Sequence, residues 1–294
     1  MKGMNRDVKT GLIVIGVVIV LSIAFSLFFS TSGIQSPTTG TVMKIPITGA
    51  ISTTGSSSLF ESTLTSKTIA DKIESANEDT AIDAILLVID SPGGAPVASH
   101  EIARAVEEAD KPVASQIREV GASGAYWVAS SSDYIVSDPV SITGSVGVLS
   151  SYLDFSGLLS DYNVTYQRFV NGEYKDLGTP YKPLEDDERR KLQSKIDLLG
   201  EYFLDDVVEK RGLSERQKQQ IQTAEFFIGV ESIDVGLVDE LGGEDEAIAW
   251  LENQTDMSLS TTEAQFQRGF FQSLGGMSLK SSPDFMQKQY PQLR

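Results

Sequence analysis

Ala84-Ile85-Leu86-Leu87-Val88-Ile89 is an unbroken apolar run that stops at Asp90. A strand with one wet face alternates polar and apolar residues, so a continuous run predicts a strand covered on both faces, as in a parallel α/β sheet. The flanking periodicity agrees. Val42 to Ile51 mixes Val, Ile and polar residues as an opening strand, and Pro112 to Ile117 is the next. Between them, Val97 to Ala109 has helical spacing, with Ile102, Ala105 and Val106 on one side. Tyr134-Ile135-Val136 and Val164 to Val170 read as further strands. Leu184 to Lys210 reads as a long amphipathic helix, with Leu192, Ile196, Leu199, Phe203 and Val207 at spacings of three or four. Its acidic start, Glu185 to Glu188 behind Pro183, reads as a solvated helix N-terminus. Strands that alternate with crossover helices predict an α/β fold.

A second apolar run lies ahead of this domain. Gly11 to Phe29 gives nineteen uncharged residues with only Ser22 and Ser26 as polar interruptions. As a helix it would reach about 28 Å, enough for a hydrocarbon core of ~30 Å. Lys2, Arg6 and Lys9 precede it and the next basic residue is Lys44, which predicts a single-pass cell-membrane anchor with residues 1–10 cytoplasmic and the rest outside. A cleaved signal peptide is the alternative, although such peptides usually have an apolar core of ~7–15 residues. Residues 30–41, rich in Ser, Thr, Gly and Pro, read as a tether that spans at most ~40 Å. Residues 42–253 are long enough for one catalytic domain with one core. Residues 254–294 read as a C-terminal tail, polar except for Phe266, Phe270 and Phe271.

The composition removes several functions. There is no cysteine, so disulfides and thiolate metal sites are absent, and neither a metal nor a cofactor is predicted. A net charge of -17 argues against nucleic acid as a partner, because phosphate binding needs clustered Lys and Arg.

The chemistry is concentrated in glycine-flanked turns. Asp90-Ser91-Pro92-Gly93-Gly94 ends the buried strand and opens a helix, so its glycines can turn sharply and present backbone N–H groups near a helix N-terminus. Taken alone, this is also an ordinary strand-to-helix turn. Gly121-Ala122-Ser123-Gly124-Ala125-Tyr126 places a serine between small residues at a second helix start, where Gly124 would supply another N–H to an oxyanion. A serine there is also a common N-cap. Ala125 breaks the Gly-x-Ser-x-Gly pattern of the α/β-hydrolase elbow. The chain has a single histidine, His100, beside Glu101 on a helix, and it reads as a packing or surface residue. A lysine amine is then the natural base, although it must be desolvated to lower a reference pKa of ~10.4. Ser145, within Thr143-Gly144-Ser145-Val146-Gly147-Val148, is a plausible orienter for that amine.

Together these stretches resemble the membrane-anchored signal peptide peptidase A family. The resemblance also covers Tyr174-Lys175-Asp176 and Gly236-Leu237-Val238-Asp239-Glu240-Leu241-Gly242-Gly243, in order, over about residues 40 to 250. It implies a Clp protease/crotonase-like fold of repeated ββα units and a Ser-Lys dyad. By position, Ser123 matches the nucleophile, Lys175 the general base, Ser145 the hydroxyl that positions the lysine, and Gly94 and Gly124 the oxyanion donors. Ala125 stands where the family more often has a second glycine. The family also implies a ring-like or dome-like homo-oligomer in which neighbouring protomers can share the dyad. Peptide substrates are implied: signal peptides and unfolded hydrophobic segments.

Three functions fit a chain of this kind. The first is a membrane-bound serine endopeptidase that works through an acyl-enzyme. The second is acyl-CoA chemistry on a crotonase-like fold, which needs neither the Ser123 and Lys175 pair nor an anchor. The third is a non-catalytic membrane scaffold, which would not need to keep both residues.

Overall fold

The computed structural model describes residues 16–23, 38–54, 57–58, 61–62 and 65–266. The chain divides into two units, Met1–Thr39 and Gly40–Arg294. In the first, residues 16–23 form a helix, α1, with exposed Val, Ile and Leu side chains. No helix among the described residues is long and apolar enough to cross a membrane, and the rest of the expected 11–29 span lies outside them.

The second unit is a mixed α/β sheet with helices on its faces. Its elements follow as β1 (Thr39–Thr48), a small hairpin of β2 (Ser57–Ser58) and β3 (Glu61–Ser62), α2 (Ser66–Glu78), β4 (Ala84–Ser91), α3 (Pro96–Glu107), β5 (Val113–Ala122), α4 (Gly124–Ser130), β6 (Tyr134–Ser137) and β7 (Ile142–Gly144). Then come α5 (Ser156–Asp161), α6 (Asp186–Arg211), α7 (Glu215–Ile221), β8 (Phe226–Ile228), α8 (Gly229–Ser232), β9 (Glu240–Leu241), α9 (Glu244–Thr255) and β10 (Ser258–Glu263). The main strand order is β10-β1-β4-β5-β6-β9, with β7 paired to the far end of β5 and β8 antiparallel to β7.

The strand β4 explains the unbroken apolar run. Ile85, Leu87 and Ile89 face a large core shared with α2, α3 and α4, through residues such as Ile69, Ile73, Ile102 and Tyr126. Ala84 and Leu86 face the other way, into a smaller core with Val42, Ala114, Val136 and the α9 residues Ala247 and Leu251. Both faces are therefore dry, and each fully buried Ile or Leu contributes about 1.5–3 kcal/mol.

Three expectations change. Residues 164–170 form no strand: Val164, Tyr166, Phe169 and Val170 are exposed and no strand among the described residues pairs with them. The acidic helix start is not fully solvated, because Glu188 is buried against Lys182, whose Nζ lies 2.6 Å from both carboxylate oxygens. The sheet also continues past residue 253. Strand β10 lies at the edge beside β1, the N–H of Ala264 donates to the carbonyl of Lys44 (2.8 Å), and Phe266 packs on the core. Its Ser and Thr side chains gave no apolar signal, since an edge strand is held largely by backbone bonds.

Candidate active site

Three strands end side by side. Ser91 of β4 pairs with Gly121 of β5, and Gly121 pairs with Thr143 of β7. A break in the β4–β5 register after Ile89 lets β5 reach β7, and the Thr143 hydroxyl donates to the Gly121 carbonyl (2.9 Å). Loops at the carboxyl ends of parallel strands are the usual ligand position in such sheets.

The turns beyond these ends are packed too closely for side chains. A Cβ on Gly94 would lie 1.9 Å from the Ile51 carbonyl oxygen, and one on Gly124 would lie 2.2 Å from Ser99 Oγ. Gly93 has φ +94°, a conformation that suits glycine. The Ser91 hydroxyl fixes this turn, donating to the Gly49 carbonyl (2.6 Å) and accepting from the Gly93 N–H (3.1 Å).

Ser123 sits where β5 turns into α4, at φ 53° and ψ -127°. Such backbone strain costs on the order of 1–3 kcal/mol and persists only where the surroundings impose it. Its carbonyl accepts the first helical bond, from Trp127 N–H (3.0 Å), while its side chain makes no capping bond. The serine therefore stands at an N-cap position without capping. Among the described residues, the N–H groups of Gly94 and Gly124 make no hydrogen bond, and both glycines line the cleft that Ser123 lines. Two free donors beside a hydroxyl at a helix N-terminus form an arrangement that can stabilise an oxyanion.

The cleft has a volume of about 400 Å³. Ser145 borders it, also at positive φ (50°), with its N–H donated to the Glu225 carbonyl (2.9 Å). Trp127 and Phe203, stacked with ring centroids 4.4 Å apart, form an apolar wall continued by Val148 and Leu149. Among the described residues, no ionisable side chain lines it.

Lys175 is not brought to this cleft. It is exposed on a turn over residues 173–178, and among the described residues its amine makes no hydrogen bond or ion pair. Its neighbours are firmly held. Asp176 is paired with Arg168 (2.5 and 2.8 Å), which holds its carboxyl below the ordinary range. The Tyr174 hydroxyl donates to Asp187 (3.1 Å), and Lys191 lies 4.3 Å from the centre of its ring. Desolvation and the Asp187 hydrogen bond push the Tyr174 phenol up to about 12. His100 is half-buried against Trp127, with Nε2 3.2 Å from the Tyr202 hydroxyl, and it does not line the cleft.

Sequence reasoning thus located Ser123, Ser145, Gly94 and Gly124, which the structure brings together. It missed Trp127 and Ala224 as lining residues and counted Phe203 only as part of a helix face. Trp127 lies four residues beyond Ser123, one helical turn, which was the available signal. Ala224 had none.

Comparison with known proteins follows the same line. A Methanocaldococcus jannaschii protein that carries a protease name is 36% identical over 188 residues, which cover 63% of this chain and 60% of that protein. An Enterococcus faecium protein named for signal peptide peptidase SppA is 27% identical over 75% of this chain and 65% of its own length. Protease 4 of Haemophilus influenzae is 29% identical over 69% of this chain but only 34% of its own length. The chain therefore spans less than two thirds of each of these three relatives. Among solved structures, a serine-to-alanine mutant of the 1510-N membrane-bound stomatin-specific protease is similar in fold, with a TM-score of 0.51 at 14% identity over 78% of this chain and 99% of that one. A lysine-to-alanine mutant of the same protease, solved with a substrate peptide, has a TM-score of 0.50 at 13% identity over 80% and 96%. The family model for peptidase family S49 matches residues 105–258, a span that holds Ser123, Ser145 and Lys175, and the chain belongs to that family.

Proposed function

We propose that this chain is a membrane-anchored serine endopeptidase that cleaves extended hydrophobic peptides, remnant signal peptides among them, with Ser123 as nucleophile. The observation that carries this reading is the strained, uncapped Ser123 beside the unbonded N–H groups of Gly94 and Gly124. In the proposed reaction Ser123 Oγ attacks the scissile carbonyl carbon while its proton passes to the neutral amine of Lys175, held in place by Ser145. The oxyanion takes hydrogen bonds from the two glycine amides. Collapse of the intermediate returns the proton to the leaving amine and forms an acyl-enzyme, which water hydrolyses by the same steps. The apolar wall of Trp127, Phe203, Val148 and Leu149 suits apolar side chains, and main-chain pairing to an extended peptide tolerates varied sequences.

The base is supplied by a neighbouring copy in a homo-oligomer. Lys175 stands exposed on a turn where Tyr174 and Asp176 on either side are pinned, and among the described residues no base lines the cleft. The same stretch of chain exposes apolar side chains that water does not favour: Leu149 (85%), Leu153 (71%), Tyr162 (75%) and Phe169 (91%). A second copy that covers them would also desolvate the amine, as a lysine base requires.

The test mixes two inactive variants of the full chain in detergent, Ser123→Ala and Lys175→Ala. Shared dyads predict that the mixture regains a sizeable fraction of peptidase activity, since some interfaces then combine an intact serine with an intact lysine. Continued inactivity of co-assembled variants would place both groups within one copy or refute the dyad. A serine-reactive fluorophosphonate should label Ser123 and no other serine. For the anchor, protease added to intact cells should reach the folded domain, whereas protection until lysis would reverse the orientation.

A further inference from the structure

Among the described residues, five other than glycine have positive φ: Ser123, Ser145, Asn163, Ala224 and Asp256. Asn and Asp tolerate this conformation. The other three all line the cleft. Ser123 and Ser145 have roles in the proposed chemistry, but Ala224 has no functional group. At φ 58° it occupies a backbone position that glycine would fill with less strain.

The methyl of Ala224 is held from both sides. Its own N–H donates to the Ile221 carbonyl (3.0 Å), and the carbonyl of Glu225 accepts the N–H of Ser145 (2.9 Å). It therefore stands at a fixed place on the cleft wall. Facing it is Gly147, where an added Cβ would lie 2.5 Å from the Ala224 methyl. The two positions have room for one methyl between them, and residue 224 provides it.

We propose that Ala224 is a specificity-determining residue, whose methyl closes the cleft wall against Gly147 and limits the size of side chain that one subsite accepts. The inference rests on Ser123 being the nucleophile of this cleft. A hydrophobic pocket that gains or loses one methyl or methylene commonly changes discrimination by about tenfold or more.

The experiment uses the full-length protein and a set of peptides that differ by Ala or Phe at one position at a time, over four positions on either side of the scissile bond. Ala224→Gly should raise the Phe-to-Ala ratio of kcat/KM about tenfold at one position and leave the others near their native values. The ratio is insensitive to a general loss of activity. Its melting temperature should not fall, because glycine relieves the positive φ. The double variant Ala224→Gly with Gly147→Ala moves the methyl across the wall and should return the ratio towards the native value. Ratios within twofold of native at every position would overturn the proposal. Ser123 labelling of the native chain separates the two levels: a labelled serine with unchanged ratios removes only the role of Ala224, and an unlabelled one removes the catalytic reading beneath it.

Discussion

The backbone N–H of Ser123 donates to the carbonyl of Gly144, 2.8 Å away. Two turns that are twenty-one residues apart in sequence are thereby tied into one piece, and residue 145 follows directly with its own N–H bound to Glu225. The positions assigned to nucleophile and orienter are thus fixed by main-chain bonds, leaving both hydroxyls for other partners.

Replacing Ser123 by alanine tests the nucleophile without disturbing that framework. The side chain makes no capping bond, and alanine is no more strained than serine at φ 53°. Hydrolysis should fall by on the order of 10³-fold or more, with loss of fluorophosphonate labelling and a melting temperature within about 2 °C of the native protein. Residual turnover near the native rate would refute the assignment.

Asp176→Asn tests whether the brace around Lys175 matters. The Arg168 guanidinium lowers the Asp176 pKa, so the brace is fully present above the ordinary carboxylate range and is lost as pH falls through the lowered value. The pair is partly exposed and water screens it, so global stability should hardly change. Activity at neutral pH should nevertheless drop about tenfold through kcat, because the turn no longer presents the amine in one place. An unchanged kcat would show that the brace is incidental to catalysis.

How much of this was legible depended on where each residue's partners lie. The run Ala84 to Ile89 declared its strand because Leu86 and Leu87 are buried on opposite faces, and a sequence records burial on both sides. The turns around Gly94 and Ser123 were legible because close backbone approach leaves only small residues. Val164 to Val170 has strand-like composition but no strand among the described residues pairs with it, and nothing local distinguishes an apolar run that pairs from one that does not. Glu188 looked like any acid at a helix start; the Lys182 that buries it is visible only in three dimensions. Ala224 was silent because positive φ in alanine leaves no mark on the sequence.

Tyr126→Phe separates stability from chemistry on helix α4. The Tyr126 hydroxyl, fully buried, donates to the Leu237 carbonyl (2.7 Å), and burial keeps its phenol strongly raised. Removing the hydroxyl leaves that carbonyl without the bond, a loss of about 1–3 kcal/mol. Thermal unfolding should shift down by several degrees, while Ser123 labelling at 25 °C keeps its native rate. A large loss of labelling with unchanged stability would assign the tyrosine to the site.

The tightest packing in the site gives the last prediction. Gly124 must remain glycine because Ser99 lies behind it: a Cβ there would be 2.2 Å from Ser99 Oγ and 3.0 Å from Ser99 Cβ. Ser99 is fully buried on α3, so it has little room to retreat, and among the described residues its hydroxyl has no hydrogen-bond partner. Gly124→Ala should therefore push α4 and its first amide outward, with an overpacking cost of ~1–3 kcal/mol and a steep fall in kcat. Ser99→Gly removes both colliding atoms. By itself it should cost at most ~1 kcal/mol, as a glycine within a helix does. If the collision is the cause, the double variant will be more stable than Gly124→Ala alone and will regain part of its kcat, a coupling of ~1 kcal/mol or more in a double-mutant cycle. Strictly additive losses would mean that Gly124 is required for a reason other than Ser99, and the close packing behind the proposed oxyanion donors would lose its role.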